Sequence, residues 1–342
     1  MTPDDVFNTP LDPERINELS RSFWNSAILR AGIKLGVFAL LDMGGLTAEQ
    51  VAHRIKASPR YVQAFLDSCI VLGLLDKQGD IYVDSPLASQ SLVPGKDKYV
   101  GDLVLHITNH WETWGRLDKL IREGKTVLPF ETGYVDAATY WRDYMWGQHN
   151  RALAGQAEQL VKTVDMNNKR RMLDLGGGAA SYSIALCQAN PRLESVVIDR
   201  REPLAIARQV VEKAGLQKRV RLVEGDFFTA DLGRDSDVAL ISGVMMILSE
   251  DECHRLLQRT YGALVPGGQI IIQDFMRLDP SPGRRLMDTL MDLYTLIAFD
   301  PSGGDRTGEE VARWVQEAGF GSVSMVPLPT HLAIITGEKS KG

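Results

Sequence analysis

Asp174 sits in a short apolar run, MLDL, and is followed almost at once by three glycines, Gly176, Gly177 and Gly178. A second apolar run, VVID, ends in another acid, Asp199, 21 residues beyond Gly178. Glycines let a backbone turn sharply and come close to a ligand. An acid at the tip of the next strand suits the two hydroxyls of a ribose. A glycine-rich turn alone would carry no such meaning. Here the spacing to Asp199, and a third apolar run leading into Gly225-Asp226-Phe227, point to a ligand that contains a nucleoside.

Positioning these groups requires a strand, a turn, a helix and a parallel strand. From Arg171 onward, strand-like runs at 171–175, 195–198, 220–224, 238–241 and 269–273 alternate with helical stretches such as 203–214 and 251–264. Pro266-Gly267-Gly268 is expected to stop the last of these helices before its strand. This pattern predicts a doubly wound α/β sheet. After a helix at 309–318, two further runs at 322–327 and 331–336 are separated by three residues, Leu328-Pro329-Thr330. So short a connection joins only antiparallel strands, so the sheet should end in a reversed hairpin. A dinucleotide dehydrogenase normally lacks that hairpin and wants a small glycine where this chain has Ser181, which makes NAD the weaker reading.

The 342-residue chain is long enough for two domains. Its net charge of −6 argues against a non-specific nucleic-acid binder or a surface drawn to anionic lipid. Cys69, Cys187 and Cys253 are scattered without CxxC spacing and read as small hydrophobes, not as disulfides or metal ligands. No clustered His and carboxylate set suggests a metal. The N-terminal stretch has no signal-peptide core, and no run has the length of a membrane span, so a cytoplasmic location is expected.

The first 100 residues read as a long helix from Pro13, a helix from Ala48 capped by Thr47 with Gln50 in a capping box, a helix from Pro59 and a glycine-turned hairpin around Gly79. This is a winged helix-turn-helix pattern. A DNA-reading helix needs basic and amide side chains. Arg60 is the one clear basic residue between Pro59 and Leu74, so packing and dimerisation are expected instead. Residues 101–165 form a helical connector dense in His106, His110, Trp111, Trp114, Tyr140, Trp141, Tyr144, Met145, Trp146 and His149. Aromatics at helical spacing are usually core, yet rings with polar handles also suit the wall of a pocket for a flat organic molecule.

With these motifs assembled, the chain resembles the S-adenosylmethionine-dependent O-methyltransferases of the caffeate and hydroxyindole type, including bacterial members acting on pigments and antibiotics. The matching motifs are LDLGGG at 173–178, VVIDR at 196–200, EGDFF at 224–228, PGGQIIIQD at 266–274 and GGDRTGEE at 303–310. The resemblance implies a winged-helix dimerisation domain at 1–100, the connector lining a substrate pocket at 101–165, and at 166–342 a Rossmann-like methyltransferase sheet with its terminal antiparallel hairpin. It implies a homodimer acting on a small aromatic or macrocyclic molecule with S-adenosylmethionine as cofactor. Gly176 and Gly178 would line the amino-acid part of that cofactor, with Asp174 beside them. Asp199 would hold the ribose, with Arg200 next to it, and Asp226 and Phe227 would border the adenine. Ser242 falls where plant members often carry lysine.

The largest departure concerns the catalytic base. Phenol-methylating relatives carry a histidine before a Trp-Ser-Asp-Glu stretch, and this chain has Met246 in its place, with Ile247 at the following aspartate. Methionine cannot accept a proton. Methyl transfer from a sulfonium is an in-line displacement, so alignment supplies much of the rate. A general base adds ~100- to 10,000-fold, and a phenol of pKa ~10 needs one more than an acidic enol, an amine or a carbon nucleophile does. Three readings stay open: another base, with His149 first; a substrate acidic enough to need none, or methylated at carbon or nitrogen; or a fold that binds the cofactor without transferring its methyl group. Asp274 and Asp305 are the counterparts of the carboxylates that orient the family histidine. Asp305 could equally cap the helix near Thr307. Tyr140, Met145, Met246, Met291 and Tyr294 are expected to face substrate.

Overall fold

A computed structural model describes residues 13–278, 286–304, 306–329 and 332–341. The chain forms two compact units, Met1–Asn109 and His110–Gly342.

In the first unit, the helical pattern from Pro13 divides in two. Helix α1 spans Pro13–Arg21 and α2 spans Phe23–Lys34, breaking at Ser22, whose hydroxyl bonds back to the Glu18 carbonyl. Such back-bonding by serine competes with the helical ladder. Short α3 (Val37–Asp42) leads to α4 (Ala48–Ile55) and α5 (Pro59–Val71), then to strands β1 (Leu75–Gln78) and β2 (Ile81–Asp84), which pair antiparallel. The Thr47 capping box with Gln50 is formed, and this is the winged-helix arrangement. Helices α6 (Pro86–Ser91) and α7 (Gly101–Asn109) complete the unit. Helix α5 buries Val62, Leu66 and Cys69 but leaves Tyr61 and Val71 largely exposed.

The second unit begins with α8 (Trp111–Trp114), α9 (Leu117–Glu123) and the aromatic-rich α10 (Ala137–Arg151). A π-helical turn over Ala152–Gln156, with Gly155 at φ 135°, joins α10 to α11 (Ala157–Thr163). The sheet follows: β3 (Arg171–Leu175), α12 (Ser181–Ala189), β4 (Glu194–Asp199), α13 (Arg201–Lys213), β5 (Val220–Glu224), β6 (Ser236–Ser242), α14 (Glu250–Ala263) and β7 (Leu264–Arg277). Then come α15 (Leu286–Ala298), the two-residue β8 (Arg306–Thr307), α16 (Gly308–Glu317), β9 (Phe320–Pro327) and β10 (Leu332–Lys339).

The strand order is β5-β4-β3-β6-β7-β10-β9, with β8 on β7. Strands β3 to β7 run parallel, and β10 lies antiparallel between β7 and β9, so the reversed hairpin is present. Residues alternate between the two faces, as the strand period requires. Met172, Val197, Val238, Leu240 and Ile271 join one core, while Leu173, Leu175, Ile198, Ile241 and Ile272 join the other.

Pro266-Gly267-Gly268 does not end a helix ahead of the strand. Helix α14 stops at Ala263, and the three residues lie inside β7. The pairing of Ser236 with Leu264 and then of Val238 with Gln269 shows a register shift that absorbs them. Among the described residues no helix is long and apolar enough to cross a membrane, and no group of His, Cys, Asp and Glu could hold a metal ion.

Candidate active site

The strand order reverses around β3, with β4 on one side and β6 on the other, which opens a crevice at the carboxyl ends of these strands. The glycine turn sits there. Gly176 and Gly178 adopt left-handed conformations, φ 71° and 55°, that favour glycine. A side chain on Gly177 would collide instead: its Cβ would stand 2.6 Å from the Asp174 carboxyl and 2.7 Å from Val197 Cγ1.

Two acids flank the turn. Asp199 Oδ2 accepts the Gly178 backbone N–H at 2.8 Å, and its Oδ1 accepts that of Arg200 at 2.7 Å. These donors fix the carboxylate while leaving lone pairs for a ligand, and burial raises its pKa despite them. Asp174 is buried; its Oδ2 accepts the Ser183 hydroxyl at 2.5 Å, while its Oδ1 has no hydrogen-bond partner. Burial pushes its carboxyl up to about 7. A buried oxygen without a partner is costly, and the ammonium of an amino-acid moiety would satisfy it. The half-buried Phe227 reaches the same turn, its ring 3.6 Å from where a Cβ on Gly176 would lie. The residues present therefore fit a nucleoside joined to an amino acid, the composition of S-adenosylmethionine. Arg200 and Asp226 lie exposed on the rim, Asp226 capping its own turn through the Phe228 N–H at 2.7 Å.

Helix α10 brings Met145 and His149 to this turn. Met145 Sδ stands 3.9 Å from a Cβ position on Gly178. His149 Nδ1 lies 2.8 Å from Ser181 Oγ, in the first turn of α12, and burial lowers its imidazole to about 4, with the charge of Lys213 adding to the effect. Deeper in, Asp274 at the end of β7 is fully enclosed. Its Oδ1 accepts the Phe275 N–H at 2.8 Å and its Oδ2 accepts the Met246 N–H at 3.3 Å. Burial raises it to about 7. Met246 is buried outside both sheet cores, whereas neighbouring Met245 belongs to one of them. Ser242 Oγ accepts from Gln273 Nε2 at 3.2 Å.

An aromatic group covers the crevice. Tyr140 and Tyr144 stack with centroids 6.2 Å apart, and Tyr144 also meets Phe299 at 5.9 Å. The Tyr294 hydroxyl is 3.3 Å from His110 Nε2. Met291 stands on the same helix, α15, less than one turn before Tyr294. Asp305 lies outside the described residues. Its suggested capping role belongs to Thr307, whose hydroxyl accepts the Glu310 N–H at 3.1 Å.

Tyr144, one of the connector aromatics, lies near enough to Asp199 and Asp274 to feel the charge of both. Other residues near it escape a reading of the sequence. The Tyr182 hydroxyl donates to Gln156 Oε1 at 2.8 Å, and Ser242 and Gln273 lie beside it. Arg151 places its guanidinium 5.5 Å from the centre of the Phe275 ring. Gln273 carried a usable signal: an amide in a buried parallel strand of aliphatic residues breaks the expected apolar run.

A glycine turn at the sheet's switch point, a strand-tip acid and a terminal reversed hairpin define an S-adenosylmethionine-dependent methyltransferase. The O-methyltransferase domain model matches residues 114–321, and the O-methyltransferase dimerisation domain model matches 17–94. The chain belongs to this O-methyltransferase family. It is similar to the 3-hydroxy-5-methyl-1-naphthoate 3-O-methyltransferase of Streptomyces sahachiroi, at 27% identity over 96% of each chain. It is also similar to an N,N-dimethyltransferase of Streptomyces rimosus, at 30% identity over 91% of this chain and 93% of that one. Human N-acetylserotonin methyltransferase, solved in complex with S-adenosylmethionine, shares the fold with a TM-score of 0.87 at 24% identity, over 97% of this chain and 99% of that one.

Proposed function

We propose that this enzyme transfers the methyl group of S-adenosylmethionine to a hydroxyl on an aromatic small molecule of secondary metabolism, and that it works as a cytoplasmic homodimer. The observation carrying this reading is the Asp199 carboxylate, held by two backbone N–H groups, with the unpartnered oxygen of Asp174 on the neighbouring strand. Asp199 would hold the ribose, Asp174 and the turn at Gly176 and Gly178 the amino-acid end, and Phe227 and Asp226 the adenine. S-adenosylmethionine, when bound, supplies an activated methyl group on a sulfonium. Residues of the chain align the acceptor and exclude water. Tyr140, Tyr144, Tyr294, Met145 and Met246 would give the acceptor a wall suited to a flat ring.

Asp274 is the better-matched proton acceptor. Burial pushes its carboxyl up to about 7, whereas burial lowers the imidazole of His149 to about 4. Catalytic groups work best with a pKa near the working pH. His149 instead acts as a positioning residue that steadies Ser181 at the start of α12. The second reading, transfer to nitrogen or carbon, draws on Met246 at the position of the family's histidine.

Four large apolar residues of α1 and α2, Ile16, Leu19, Phe23 and Trp24, are 66%, 56%, 55% and 54% exposed in the single chain. Such a stripe is the kind of surface that a second copy covers. Helix α5, with Tyr61 and Val71 exposed and Arg60 its single basic residue, offset by Asp67, supports association in preference to DNA reading. Incubation with methyl-labelled S-adenosylmethionine and a panel of hydroxylated aromatics tests the activity. Label should appear in an ether product; label only on nitrogen or carbon would move the assignment to the second reading.

A further inference from the structure

Arg151 is the last residue of α10, immediately before the π-helical turn at Ala152–Gln156. The Arg151 guanidinium is partly buried over the Phe275 ring, at 5.5 Å, on the residue next to Asp274. Among the described residues it makes no ion pair with a carboxylate. Its one side-chain hydrogen bond there is a long contact, 3.3 Å, from Nη1 to Gln148 Oε1.

The surroundings are unusual for a cation. Arg151 is close enough for its charge to act on the hydroxyls of Tyr144, Tyr182 and Tyr294. Burial pushes the Tyr144 and Tyr182 phenols up to about 12 and the Tyr294 phenol well above its ordinary value. All three therefore keep their protons near neutral pH and put no negative charge beside the guanidinium; the Tyr182 proton goes to Gln156 Oε1 and the Tyr294 hydroxyl meets His110. A planar guanidinium on an aromatic platform, with no carboxylate bonded to it among the described residues, matches a carboxylate in both charge and shape. Asp199 and Asp274 act on the same Tyr144 hydroxyl as Arg151 does, but neither pairs with the guanidinium directly, and a neutral acceptor would leave it without a bonded anion in a partly desolvated site.

The geometry points to an acceptor that carries a carboxylate on its aromatic ring, bound by Arg151 while the ring stacks against Phe275 and the tyrosines. This rests on the proposed methyl-transfer reading and narrows its substrate to hydroxyaryl carboxylic acids. The donor molecule also bears a carboxylate, on its amino-acid end. The donor-side groups Gly178, Ser181 and Asp199 contact Met145 and His149 of α10 or the tip of β4. Arg151 contacts β7 instead, through Phe275.

Calorimetry separates these sources without requiring turnover. The full-length protein saturated with S-adenosylhomocysteine is titrated with 3-hydroxy-2-naphthoate and with its carboxamide, for wild type, Arg151→Lys and Arg151→Met. Each protein is also titrated with S-adenosylhomocysteine and with methylthioadenosine, which lacks the amino-acid end. The expected result is a preference of roughly tenfold or more for the acid over the amide, as an unmatched charged hydrogen bond implies. Arg151→Met should lose that preference and Arg151→Lys keep part of it, with S-adenosylhomocysteine affinity unchanged in all three. Equal binding of acid and amide by wild type, no binding of either, or a preference that survives in Arg151→Met would overturn the inference. So would a loss of S-adenosylhomocysteine but not methylthioadenosine affinity in Arg151→Met, which would give the guanidinium to the donor. Absence of S-adenosylhomocysteine binding by wild type would instead strike the methyltransferase reading itself. Should Arg151→Met not fold, the acid-to-amide ratio in wild type and Arg151→Lys still decides.

Discussion

The carboxylate of Asp199 accepts the backbone N–H of Gly178 at 2.8 Å, tying the tip of one strand to the glycine turn that follows its neighbour. The bond sets the floor of the crevice before any ligand arrives. It also makes Asp199 answerable to two jobs, bracing the turn and gripping a diol. Replacement by alanine should therefore weaken S-adenosylhomocysteine binding by about 2–4 kcal/mol, the loss of charge-assisted hydrogen bonds. Calorimetry measures this directly, and an unchanged affinity would remove Asp199 from the ribose.

Asp274 provides a pH signature. Burial disfavours its carboxylate, so its pKa rises from ~4 in the unfolded chain to about 7 in the fold. Between those values the folded state binds more protons than the unfolded one, and its contribution to stability falls as pH rises. Asp274→Asn, which cannot ionise, should gain stability relative to wild type from pH 5 to pH 7.5, as read by denaturant melts. In turnover the sign reverses. A base must be ionised, so wild-type kcat should climb with pH and level off above about 7. Asp274→Asn should lose that rise, and a mutant retaining it would clear Asp274 of the proton.

His149 separates positioning from proton transfer. Its partner is Ser181 of the cofactor turn, so His149→Ala should weaken donor binding by about 1 kcal/mol, the worth of one hydrogen bond. The pH dependence of kcat should stay as in wild type. If that dependence vanished with donor affinity intact, His149 would be the base after all.

Gly177 tests the packing of the turn. Its Cβ would come within 2.6 Å of Asp174 and 2.7 Å of Val197, atoms on two buried strands with little room to give. Gly177→Ala should cost about 1–3 kcal/mol, as overpacking does. A lower Tm with reduced donor affinity is expected; a Tm equal to wild type would mean the turn can relax.

The exposed stripe on α1 and α2 predicts assembly. Replacing Leu19, Phe23 and Trp24 by serine should convert a dimer to monomers in sedimentation, since these side chains meet water in the single chain. A wild-type monomer at micromolar concentration would refute the homodimer.

The cofactor side of the crevice was legible because its signals are local. Asp174, three glycines and Asp199 lie within one strand-turn-helix-strand unit, where spacing alone fixes which groups meet. The terminal hairpin was legible for a similar reason, a connection too short for any other topology. The acceptor side was not. Arg151, Tyr182 and Gln273 come near one another from α10, α12 and β7, and no periodicity announces contacts across so much chain. The kink after Arg151, where Gly155 leaves the helical conformation, defeats periodic reading directly, because it changes which residues face inward. Ser22 and Pro266-Gly267-Gly268 show the converse failure. Serine read as a neutral helix residue in fact ends a helix, and a Pro-Gly-Gly run read as a break is absorbed by a register shift inside a strand.

The most direct measurement is a calorimetric titration of the purified protein with S-adenosylhomocysteine, repeated on Asp199→Ala. Saturable binding at one site per chain, falling by about 30-fold or more in the variant, is the expected result. No heat with either the donor or its demethylated product, or equal affinity in both proteins, would contradict a sugar-bearing methyl donor held by this carboxylate.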